Sequence, residues 1–80
     1  MNPIIQLLHL IFHLTLDMVL DRIIELEDKV IRSKKRLPRV LKINYQSYVS
    51  LIKEIEANQY LSEIHGMAIQ IIPLNRIIVE

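Results

Sequence analysis

His9, His13 and Asp17 recur at every fourth residue, a spacing that puts two imidazoles and a carboxylate on one stripe of an α-helix. Two adjacent members could hold a divalent cation if other groups completed the shell. No second cluster of ligands follows, because His65 is the only other histidine, Asp and Glu near it are few, and the chain has no cysteine. The same spacing has a plainer meaning. Gln6, His9, His13, Asp17 and Asp21 form the polar stripe of an otherwise apolar helix, keeping it in water or hydrogen-bonding across an oligomer axis. A His13 to Asp17 hydrogen bond, sensitive to pH, is a further use of the same residues. The reading adopted is the polar stripe, with no metal and no other cofactor.

A second group is basic. Lys29, Arg32, Lys34, Lys35, Arg36, Arg39 and Lys42 are seven of the ten Lys and Arg residues, so a formal net charge of only +1 hides a strong local field. Phosphates of a nucleic acid, or acidic lipid, are the ligands such a field attracts. Against a ligand, cations at a helix C-terminus already gain from the macrodipole, typically about 0.3–1 kcal/mol each. The chain also has only three Tyr, one Phe and no Trp, none within the run, which argues against base stacking on single strands.

Catalytic groupings are not apparent. Ser33, Ser47, Ser50 and Ser62 have no evident base and orienting partner in the sequence, and His65-Gly66 stands alone. Glu25, Glu27 and Asp28 read as a solvated helix face. A single glycine excludes phosphate loops that need several, and the absence of cysteine excludes disulfides, thiolate metal sites and cysteine nucleophiles. The chain is therefore read as non-enzymatic, with no small-molecule substrate.

The elements that would carry these groups follow from punctuation and periodicity. Asn2 and Pro3 read as N-cap and first helical residue, and neither Gly nor Pro interrupts the chain from Ile4 to Leu37. Pro38 disfavours helix at the residue before it, so a helix is predicted over 4–36, roughly 32 residues and about 48 Å long. That is too long for a compact domain with a radius of gyration of about 12 Å. Ile5, Leu8, Phe12, Leu16, Val19, Ile23, Leu26 and Val30 recur at three and four, a coiled-coil-like seam offered as an oligomer interface. The seam could instead dock on the second half of its own chain. Assembly is preferred because Ile4, Leu7, Leu10, Ile11, Leu14, Met18 and Leu20 widen the apolar surface beyond one stripe. A membrane span over 3–20 is the less favoured use, since two His and an Asp inside it are costly in lipid; neither a positive n-region nor a small-residue cleavage site marks a signal peptide.

Beyond Pro38, residues 39–43 alternate as a strand, Asn44 is placed to cap a helix, and Tyr45, Tyr48, Val49, Ile52 and Ile55 line one face of it until Ala57-Asn58. Residues 59–65 are read as a connection that Gly66 ends, and 67–72 and 76–79 as two strands of an antiparallel hairpin. The predicted fold is α+β: a long helix (1–37), used for oligomerisation, then a β-α-β-β unit (38–80), together one structural domain. Of 80 residues, 33 are Ile, Leu, Val or Phe, about twice the level below which chains stay disordered. Even so, a domain of this size buries only about 60% of its unfolded surface, so a partner would help it.

The C-terminal block, in which Leu61-Ser-Glu-Ile64-His65-Gly66 leads into Met67-Ala-Ile-Gln-Ile-Ile72-Pro73 and closes on Arg76-Ile-Ile-Val79, resembles the endings of small uncharacterised bacteriophage-encoded proteins. The resemblance covers about half the chain and brings no functional residue. It implies a small viral accessory or virion component acting by contact, in the host cytoplasm or the virion. The function expected is a self-assembling interaction protein, with a nucleic-acid-binding regulator using 29–42 as the alternative.

Overall fold

The computed structural model describes residues 18–80. They form an α+β fold in which helix α1 (Met18–Lys34), strand β1 (Val40–Asn44), helix α2 (Tyr45–Glu54) and strands β2 (Glu63–Ile64), β3 (Met67–Ile72) and β4 (Ile77–Val79) follow in order. The strands make one mixed sheet, ordered β2-β3-β1-β4.

Within α1, Val19, Ile23, Leu26 and Val30 fall on one stripe and face the core, Ile23 without any exposed surface. The outer face is laced by Arg22 to Glu25 at 3.2 Å, Lys29 to Glu25 at 3.7 Å and Arg32 to Asp28 at 2.9 Å. The end foreseen near 34–36 is found at Lys34, where Lys35 turns left-handed at φ 54° and its N–H donates to the Ile31 carbonyl at 3.0 Å. Of the predicted helix over 4–36, the part from Met18 is described. The N–H groups of Val19 and Leu20 donate to the two carboxylate oxygens of Glu54 at 3.0 and 2.9 Å. Both donors lie in the first described turn of α1, where they meet an anion from α2. The described helix has 17 residues, about 25 Å, a length the sheet can accommodate. The predicted stretch from 4 to 17 lies outside the described residues.

β1 is the central strand. It runs parallel to β3, with Leu41 opposite Ile69 and Ile43 opposite Ile71, and antiparallel to β4, with Leu41 opposite Val79 and Ile43 opposite Ile77. A parallel neighbour requires a crossover, which α2 and the following segment provide. This corrects the predicted hairpin of 67–72 with 76–79: β1 lies between those strands. Residues 73–76 pass the end of β1 instead, crossing about two strand spacings of 4.8 Å, within reach of four residues. The arrangement places Val79 and Ile77 beside Leu41 and Ile43 on the helical face and leaves no unpaired flank on the most buried strand.

The hairpin lies one element earlier, where β2 pairs antiparallel with β3. His65 and Gly66, at φ 50° and 78°, are the two loop residues, and left-handed backbone at both is the signature of the twist-matched two-residue turn. The sheet therefore has four strands rather than the predicted three.

α2 presents Tyr48 and Leu51 to the core and ends at Glu54, before the predicted Ala57-Asn58. Glu56, left-handed at φ 55°, donates its N–H to the Lys53 carbonyl, and Ala57 donates to that of Ile52, at 3.2 and 3.0 Å. This paired closure normally uses glycine at the left-handed position. Beyond it, the buried Tyr48 hydroxyl donates to the Leu61 carbonyl at 2.6 Å and accepts from the Leu61 N–H at 2.7 Å.

Candidate interaction surfaces

The predicted oligomer seam divides at the edge of the described residues. Ile5, Leu8, Phe12 and Leu16 lie outside them. Val19, Ile23 and Val30 are buried in the chain's own core, and Leu26 packs against it, so these four positions dock in cis on α2 and β4. The reading of them as a surface for another chain is corrected accordingly: their apolar area is already used. His9, His13 and Asp17 also fall outside, and no group of three potential metal ligands occurs among the described residues.

The basic run is split by the fold. Lys29 and Arg32 pair with carboxylates on α1, and Lys42, on the sheet, pairs with Glu80 at 3.2 Å. Lys34, Lys35, Arg36 and Arg39 make no ion pair with the described residues. Arg32, Lys35 and Arg36 surround a shallow depression of about 520 Å³, lined also by Ile31 and Leu37. Leu37 is 74% exposed, the highest value among the described large apolar residues. The left-handed Lys35 turns the chain here, and Arg36 Nη1 donates to the Leu37 carbonyl at 3.2 Å. Chemically this end can offer cations and an apolar anchor to an anionic partner.

A second surface follows from the registers. Side chains alternate across a strand, so Leu41 and Ile43 share the helical face with Ile69, Ile71, Ile77 and Val79, whereas Val40, Lys42, Ala68, Gln70, Ile72 and Ile78 share the other. The described helices contact each other and the sheet from the first side. On the second, Val40, Ile72 and Ile78 stay half exposed and Ala68 and Gln70 exposed. No described helix is long and apolar enough to cross a membrane.

Sequence reasoning missed two groupings. His65 Nδ1 lies 2.8 Å from Glu27 Oε1, joining the β2–β3 turn to α1. The three tyrosines also converge: the Tyr48 and Tyr60 rings stack at 5.7 Å, and the Tyr45 and Tyr60 hydroxyls lie 3.3 Å apart, a bond that raises the Tyr45 pKa above its usual value. Tyr45 and Tyr48 stand three apart on the predicted helix, which signals their shared side; nothing local points to Tyr60.

No family model, curated protein or solved structure matches this chain.

Proposed function

We propose that this chain is a non-enzymatic interaction protein that assembles with copies of itself. One observation carries the reading: the sheet has its described helices on one face, and the other keeps Val40, Ile72 and Ile78 half exposed around Lys42 and Gln70. At roughly 25 cal/mol per Å², covering these three side chains favours association, offset in part by the entropy of ordering two chains. The aliphatic composition of the sequence over 3–20 is in keeping with the same reading. Its likeness to phage-encoded proteins makes a virion or accessory complex the setting, an assignment resting on that resemblance.

Solution mass by light scattering at low and high salt tests it. A discrete multimer at both is expected, and Ile72→Glu with Ile78→Glu should lower the mass while leaving the circular dichroism spectrum intact. A monomeric parent, or an unchanged multimer in that double variant, would overturn it.

A second reading, a nucleic-acid-binding regulator, is supported by the clustering of Lys34, Lys35, Arg36 and Arg39 without carboxylate partners among the described residues. Binding to duplex DNA should weaken steeply with salt and vanish in Lys34→Ser, Lys35→Ser, Arg36→Ser. Binding indifferent to both would exclude it.

A further inference from the structure

β1 and β3 are the only parallel pair in the described sheet, and their carboxyl ends part company. β1 runs directly into α2, whereas the chain after β3 crosses the end of β1 to reach β4 on the other side. Such a point of divergence, at the carboxyl ends of parallel strands, is where open sheets bind ligands. Here it holds a depression of about 280 Å³ lined by Asn44, Tyr45, Gln46, Ile72, Pro73 and Asn75, several times the roughly 30 Å³ share of one water.

Two independent features give the depression its chemistry. The first is the start of α2, a helix of ten residues with no acidic residue in its first turn. Asn44 holds the N-cap position in extended conformation, yet its side chain caps nothing, leaving first-turn N–H groups and the positive end of the dipole directed outward. The second is what the Asn44 amide does instead. It is only 8% exposed; its Nδ2 donates to Asn75 Oδ1 at 3.2 Å, and its Oδ1 is buried without a hydrogen-bond partner. A buried amide oxygen left unpaired is destabilising, so this atom calls for a donor.

We infer that this depression binds a phosphate group in its hydrogen-bearing form. The anionic oxygens accept from the N–H groups at the start of α2, and the P–OH donates to Asn44 Oδ1. No lining residue carries a negative charge to oppose it. Sulfate has the same tetrahedral shape but no proton to donate near neutral pH, so it satisfies only half of the site.

The full chain labelled with ¹⁵N is titrated at pH 6 with inorganic phosphate, methyl phosphate and sulfate. Saturable shifts are expected at the Tyr45 and Gln46 amides and at the Asn44 and Asn75 side chains with the phosphates; whichever binds more tightly identifies free phosphate or a monoester as the natural form. Asn44→Asp puts a carboxylate at the N-cap, which favours the helix and repels the anion, and should weaken binding by about tenfold or more. Asn75→Ala, which releases the Asn44 amide without adding charge, should weaken binding by a smaller factor and serves if Asn44→Asp fails to fold. Shifts that sulfate reproduces equally, shifts confined to residues 34–39, parent-like binding by the folded variants, or no saturation at all would overturn the inference.

Discussion

Leu41 and Ile43 are fully buried, whereas Val40 and Lys42, their immediate neighbours on β1, keep part of their surface in water. All four share one strand, one backbone ladder and two paired flanks, so the difference belongs to the faces alone. On the helical side, α1 and α2 close over Leu41, Ile43, Leu51 and Met67 to make a core with five fully buried large side chains, Ile23 among them. On the other side, Lys42 and Glu80 form an ion pair beside Val40, Ile72 and Ile78. Full burial of the β1 side chains is thus confined to one side of the sheet, and partial exposure to the other.

The largest effect expected is a contrast across that boundary. Ile43→Ala empties a sealed space and should cost about 2–5 kcal/mol, a large part of the roughly 5–15 kcal/mol a domain has. Ile78→Ala, on the second face, should cost well under half as much, because the area it loses is already partly solvated. Urea unfolding of both variants, at a concentration where the chain is monomeric, measures the ratio; equal costs would show the second face to be covered. A smaller effect is expected from Tyr48→Phe, which keeps the ring but strips the Leu61 N–H and carbonyl of their shared hydroxyl. It should cost about 1–3 kcal/mol, with the same unfolding midpoint as the readout. The smallest is a gain. Glu56→Gly removes a side chain from a left-handed position at the end of α2 and should stabilise the helical side by up to about 1 kcal/mol, seen as a rise in Tm.

The parts of this architecture readable from the sequence were those with local causes. Pro38 and the cations before it announced the end of α1; the alternation at 39–43 announced β1; the aliphatic runs at 67–72 and 76–79 announced strands. Their pairing had no such cause, since Ile, Val and Leu suit a strand beside any neighbour, and a four-residue link can turn back or step across. β2 is too short, at two residues, to show alternation, although His65-Gly66 between Ile64 and Met67 is a hairpin signal in retrospect. At the basic end, the run itself was plain, and its partial neutralisation by Glu25 and Asp28 was readable from spacings of four. The pairing of Lys42 with Glu80, 38 residues away, was not. Asn44 was rightly placed at a helix start, but its side chain answers to Asn75, a partner visible only once the crossing of β1 is known.

The contact between Glu54 and the start of α1 bears on the order in which the chain folds. Glu54 lies 35 residues from Val19, so the carboxylate that holds the first described turn of α1 arrives only when α2 has formed and docked. In the transition state for folding, the middle of α1 can already be wound while its boundary is still open. Substitution of Glu54 should therefore quicken unfolding and leave the refolding rate almost untouched, a φ-value of about 0–0.3. The helix is encoded along its length, but the contact that ties its Met18 end to α2 is made last.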